Sequence, residues 1–221
     1  MGSGIALLLA QEMAFQKLSH PDRVFTLYLI DRNESVLDGL WSYIESQSLK
    51  TAESQIGLLR ELFKDRKDLV ENGDMVQEYV KCVLSVLRPT TEQNCARNSK
   101  MVFEAIVEKE EVKVKIFENL RSLCPEDTFF FTNTSSIPIQ VLDDKAGLNG
   151  RLIGFHFYNP PAVQKLVELI SSPKTQPSLV ELSNAIAKQL KKKVIPANDM
   201  AGFIGNGDRK STRLNSSHVS Q

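Results

Sequence analysis

Apolar residues along this chain recur with two alternating periods, the pattern of helices interleaved with short strands. Residues 5–10 (IALLLA) begin a helical run that reaches the His20-Pro21-Asp22 break, and a β-rich run at 25–30 (FTLYLI) then stops at Asp31. Residues 36–48 and 56–63 read as helices, followed by a charged stretch at 64–74 that is expected to be exposed. The run 80–87 is apolar and β-branched until Arg88-Pro89 ends it, and 101–107 (MVFEAIV) is a candidate buried strand. Val112, Ile116, Phe117, Leu120 and Leu123 share one helical face. Residues 129–131, 152–157, 166–170 and 194–195 are further strands, and 179–190 is the helix between the last two. Strands alternating with helices predict an α/β fold, a mostly parallel sheet with crossover helices.

Composition narrows the classes without choosing among them. The 221 residues are 42% hydrophobic and 24% charged, an ordinary globular mixture. Lys plus Arg balances Asp plus Glu at 27 each, so bulk charge points to neither nucleic acid nor a membrane surface. No apolar run approaches the ~20 residues of a spanning helix. The apolar stretch 5–10 lacks the basic flank and cleavage site of a secretion signal. Cys82, Cys95 and Cys124 have neither paired nor metal-ligand spacing, so we expect an intracellular, reducing compartment and no metal site.

Both ends of the chain stand out. Residues 208–218 (DRKSTRLNSSH) resemble the in-frame translation of a sequencing adaptor, so 208–221 are expected to be a non-native tail. That leaves His20 and His156 as the informative histidines. At the other end, Met1-Gly2-Ser3-Gly4 could be a cloning scar or the close of a glycine-rich phosphate loop running into a helix. Asp31 favours the loop, because an acidic residue at the tip of the second strand is where a dinucleotide-binding fold holds the adenine ribose. The alternative for Asp31 is a cap on the helix that follows it.

Three segments gather polar residues where buried strands end: FTNTSSIPI (131–139), IGFHFYNPPAVQKLVELI (153–170) and NDMAGFIGN (198–206). His156 lies among Ile, Phe and Tyr, where a histidine can simply be a satisfied core residue. Glu168 lies in an equally apolar run, where an unpaired carboxylate is expensive. Pairing on neighbouring strands would satisfy both, fix the imidazole tautomer and raise its basicity, as a general base requires.

These segments resemble the L-3-hydroxyacyl-CoA dehydrogenase family, whose pattern reads NTSS, HFFNP, KLVE and GFxxN in this order and at these spacings. VFEAIVE (102–108) is similar to the family strand that approaches the nicotinamide. The resemblance implies a Rossmann-type, doubly wound domain over 1–198 with its first strand missing. It also implies the start of a helical dimerisation domain at 199–207, most of that domain being absent. It implies NAD as cofactor, an acyl-CoA substrate, a homodimer, and a role in fatty-acid β-oxidation or short-chain acyl-CoA metabolism. Cytoplasm, mitochondrion and peroxisome are equally compatible. His156 would be the catalytic base and Glu168 its orienting carboxylate, with Ser135 and Asn206 bonding the reacting oxygen and the acyl chain. Gly2 and Asp31 would hold the dinucleotide, bordered by Glu108, Lys113 and Asn159.

Departures from the family pattern mark where the reading thins. The first two loop glycines would precede Met1, Gly207 stands where the family usually has arginine, and residues 16–23 form a longer helix-to-strand link. Ser46 and Lys50 are loose candidates for coenzyme A contacts. A sister dehydrogenase of a sugar acid such as L-gulonate, and a catalytically silent protein on the same fold, are the competing readings.

Overall fold

The computed structural model describes residues 1–200; Asn206, Gly207 and the adaptor-like stretch lie outside the described residues. The described chain divides into two compact units, one of Met1–Cys95 with Pro160–Ala162, the other of Ala96–Asn159 and the residues from Val163. The span 1–198 therefore contributes to both.

In the first unit, helix α1 (Gly2–Ser19) buries Gly4, Ile5, Ala6, Leu7, Ala10 and Ala14. Ala6, Ala10 and Ala14 recur every four residues, a small-residue ridge that lets neighbouring helices approach closely. Strand β1 (Leu27–Ile30) follows, then α2 (Glu34–Ser54), α3 (Ile56–Leu62), α4 (Asn72–Ser85) and β2 (Leu87–Thr90). Asn33 caps α2 by accepting from the Ser35 N–H at 3.0 Å. Leu7, Ala10, Ala14, Leu29, Ile44, Tyr79 and Val83 meet in one core.

The β-branched run 80–87 does not become a strand. Val76, Tyr79, Val80 and Val83 are buried at helical spacing in α4, so its residues up to Ser85 coil and β2 begins at Leu87. Arg88 and Pro89, which should end the run, are instead the middle of β2. Pro89 is tolerated because, among the described residues, β2 pairs with β1 alone, as a parallel two-stranded sheet, and an edge position needs no N–H from it. Among the described residues no strand precedes β1.

The second unit contains β3 (Met101–Glu104), α5 (Glu110–Leu123), β4 (Phe129–Thr132), α6 (Ile139–Ala146), β5 (Leu152–Phe157), β6 (Leu166–Ser171), α7 (Pro177–Gln189) and β7 (Lys193–Asn198). The sheet order is β3-β4-β5-β6-β7, parallel except for the antiparallel β5–β6 pair. The Rossmann-type, mostly parallel architecture expected from the sequence is what the chain adopts. The strand at 101–107 is shorter than its composition suggests, ending at Glu104. Helix α6 leaves no periodic signal in the sequence. Its eight residues are too few to stand out, and its first two N–H groups are capped from far along the chain: Ile139 and Gln140 donate to the two Asp199 oxygens at 2.6 and 2.7 Å.

No helix among the described residues is long and apolar enough to cross a membrane, and Cys82, Cys95 and Cys124 are not joined in a disulfide.

Candidate active site

Antiparallel pairing of β5 with β6 places His156 directly opposite Glu168. Residues so paired project from the same face with Cβ atoms about 4.5–5.5 Å apart. Alternation sends Phe155 and Phe157 to the other face, where the Phe155 ring meets Phe131 edge-on at 6.0 Å and Phe131 stacks on Phe103 at 4.4 Å. The aromatic face anchors the strand, and the polar face carries the chemistry. Gly154 makes room on that polar face: a Cβ there would lie 2.9 Å from the Ile170 Cβ.

Glu168 is fully buried, and the His156 side chain is 16% exposed. The His156 Nδ1 lies 2.9 Å from Glu168 Oε2, and the Tyr158 hydroxyl donates to Oε1 at 2.6 Å. Both carboxylate oxygens therefore have partners, which offsets a burial that would otherwise cost several kcal/mol. An ionised carboxylate only accepts, so the geometry assigns the proton to Nδ1 and makes Nε2 the basic nitrogen of the ring.

Ser135 sits in the loop after β4, and Glu108 ties that loop down. Glu108 Oε1 accepts from Thr134 Oγ1 at 2.6 Å and from the Ser135 and Ser136 N–H groups at 2.7 and 3.1 Å. Burial pushes the Glu108 carboxyl up, but the bonds from Thr134 and Ser135 and the Lys113 charge outweigh it, leaving it below the usual glutamate range. A lowered carboxyl stabilises the folded loop fully above the ordinary value of about pH 4.3, and that contribution fades as pH falls through the lowered one.

Beneath this loop lies a buried ion pair. Lys113 from α5 and Glu104 at the end of β3 are 1% and 2% exposed at their side chains and meet at 2.6 Å. The Ile106 N–H also donates to Glu104 Oε1, and the Thr132 hydroxyl donates to Oε2, each at 2.6 Å. Lys113 reaches Glu108 Oε2 at 3.4 Å, joining the pair to the Ser135 loop. Asn133, on the same loop, accepts from the Phe157 N–H at 2.9 Å and so ties the loop to β5.

The second unit thus brings together His156, Glu168, Ser135, Glu108 and Lys113, with Asn159 exposed just after β5. Lys113 is wholly buried and acts through Glu104 and Glu108. Gly2 and Asp31 belong to the first unit. Gly2 opens α1, and Asp31 follows the carboxyl end of β1. Asp31 is not the cap of α2: Asn33 is, and Asp31 Oδ1 accepts from the Asn33 N–H at 3.0 Å, leaving Oδ2 for another donor. A carboxylate at the end of a parallel strand and a side-chain-free residue at a helix start fit a dinucleotide's ribose and pyrophosphate.

Tyr158, Glu104, Thr132 and Thr134 join the site; they lie inside the segments that the sequence singles out, which do not distinguish them as site residues. Tyr158 was legible only as a hydroxyl where the family pattern has phenylalanine.

Comparison with known proteins bears on the family and the fold. The family model for the 3-hydroxyacyl-CoA dehydrogenase NAD binding domain matches residues 1–200. The human mitochondrial hydroxyacyl-coenzyme A dehydrogenase is 33% identical over 186 residues, 82% of this chain and 54% of its own length. A probable 3-hydroxybutyryl-CoA dehydrogenase of Bacillus subtilis is 31% identical, covering 74% of this chain and 57% of its own. The chain spans about half the length of these curated relatives. Among solved structures, 3-hydroxybutyryl-CoA dehydrogenase from Escherichia coli K12 superposes with a TM-score of 0.75 at 26% identity, covering 100% of this chain and 42% of that one.

Proposed function

This chain belongs to the 3-hydroxyacyl-CoA dehydrogenase NAD-binding-domain family, and from that premise we propose that it serves the NAD-dependent oxidation of (S)-3-hydroxyacyl-CoA to 3-oxoacyl-CoA, in fatty-acid β-oxidation or short-chain acyl-CoA metabolism. The observation that carries this reading is the buried Glu168 carboxylate on Nδ1 of His156. The C3 hydroxyl gives its proton to Nε2 as the C3–H bond breaks with its electron pair, and C3 becomes a ketone. When bound, NAD⁺ supplies the acceptor for that hydride. Glu168 stabilises the imidazolium that forms, and in the reverse direction His156 returns the proton. Ser135, together with Asn206 outside the described residues, bonds the reacting oxygen and the acyl chain. Gly2 and Asp31 hold the dinucleotide, and Glu108 and Asn159 border it, with Lys113 supporting Glu108.

Residues 1–198 act in this reading as one NAD-binding domain, 199–207 lead into a helical one, and the assembly is a homodimer. Relatives are named mitochondrial and peroxisomal enzymes, which supports an intracellular site of action.

The test is substrate choice: NADH formation from (S)-3-hydroxybutyryl-CoA against L-gulonate. Turnover on the acyl-CoA supports the reading, turnover on L-gulonate alone supports the sister dehydrogenase, and none on either supports a silent protein. Cofactor choice is a second expected outcome. Asp31 accepts from ribose hydroxyls and repels a 2′-phosphate, so NAD⁺ is preferred over NADP⁺ by about tenfold or more, the equivalent of 1.4 kcal/mol of repulsion. Equal kcat/KM with both cofactors would show that the adjacent Arg32 overrides Asp31.

A further inference from the structure

Among the described residues the Glu168 carboxylate bonds two side chains from the β5 region, His156 and Tyr158, and the proposed function uses only the first. Residues 154, 156 and 158 share one side of β5 and its continuation, and Glu168 stands opposite His156. Tyr158 is then the diagonal neighbour of Glu168, a separation that an aromatic side chain spans. Its hydroxyl donates to Oε1 at 2.6 Å, while its ring lies 5.6 Å from the His156 ring at 40°. One side chain therefore touches both members of the pair.

We propose that Tyr158 is a positioning residue that sets how strongly Glu168 holds the proton on His156. The inference rests on His156 being the base of the proposed reaction. The hydroxyl disperses part of the carboxylate's negative charge, so the imidazolium formed in the reaction is held less tightly than by a carboxylate bonded to histidine alone. A general base works best when it neither releases nor retains its proton too readily, and the second donor moves the pair towards that balance. Burial, and then the bond to Glu168, push the Tyr158 hydroxyl up to about 12, so it remains a donor at every pH at which the protein would work.

On β7 the residue opposite Glu168 is the uncharged Ile195. Towards β4, among the described residues, Glu104 and Glu108 each pair with Lys113. Among the described residues, His156 from β5 and Tyr158 from the following loop are titratable groups bonded to Glu168.

The test compares wild type with Tyr158→Phe, which removes one oxygen and keeps the ring. Two readouts are used: the pH at which the His156 ring protons titrate by NMR, and the pH profile of 3-hydroxyacyl-CoA oxidation. The expected result is that His156 titrates at higher pH in Tyr158→Phe, and that oxidation at the acid end of the profile falls about three- to tenfold, a midpoint shift of about half to one unit. With Glu168→Gln already present, Tyr158→Phe shifts the titration no further. An unmoved titration, or a loss of turnover by one factor at every pH, would overturn the proposal and leave Tyr158 a packing residue. Absence of turnover in the wild type would defeat the dehydrogenase reading instead, and the NMR titration would still decide the role of Tyr158.

Discussion

Glu168→Gln lowers kcat for 3-hydroxyacyl-CoA oxidation by about two to four orders of magnitude, the range attributable to a positioned general base. The amide keeps the size of the side chain but carries no charge to stabilise the imidazolium, and its NH₂ must face either His156 Nδ1 or the Tyr158 hydroxyl. Facing His156, it donates to Nδ1 and transfers the ring proton to Nε2, the nitrogen that has to be free. Affinity for NADH changes by no more than about twofold, because the loss falls on a charge that exists only during reaction. Stopped-flow turnover with parallel NADH titration measures both quantities. Equal losses in the two would mean that Glu168 shapes the fold of the site rather than its proton chemistry.

The largest effect on stability is expected at Lys113. Removing one partner of a buried ion pair leaves the other charge uncompensated, at about 3–5 kcal/mol. Lys113→Met leaves Glu104 inside the second unit with, among the described residues, the Ile106 N–H and the Thr132 hydroxyl as donors to its side chain. Its melting temperature should fall by roughly 10 °C. Replacing Glu104 as well, by leucine, should restore much of the loss, since a well-packed apolar pair substitutes for a buried ionic one at little cost. Thermal and urea unfolding of the two single variants and the double variant tests this cycle. A loss below about 1 kcal/mol for Lys113→Met would indicate a hydrated pair.

How much of this was legible beforehand follows from the range of the interactions. His156 and Glu168 stood out because a polar residue in an apolar strand is costly, and only pairing removes the cost. That cost is local, so the sequence displays it. Their exact opposition required the antiparallel turn of β6, which no periodicity reports. The helix α4 shows local signals colliding: β-branched Val80 and Val83 favour a strand, but burial at helical spacing with Val76 and Tyr79 prevails. Helix α6 and its Asp199 cap, and the Thr132 bond to Glu104, join residues far apart in the chain and leave no local trace. Glu108 was read as a neighbour of the dinucleotide, while its Oε1 is committed to the Ser135 loop.

The central claim, that the His156–Glu168 pair takes the proton while hydride leaves C3, meets its most direct test in a single-turnover experiment with (S)-3-hydroxybutyryl-CoA and NAD⁺, comparing wild type with His156→Gln. The account predicts NADH formation by the wild type and a rate lower by about two to four orders of magnitude in the variant, with NADH binding retained. NADH formation at the wild-type rate by His156→Gln would contradict it.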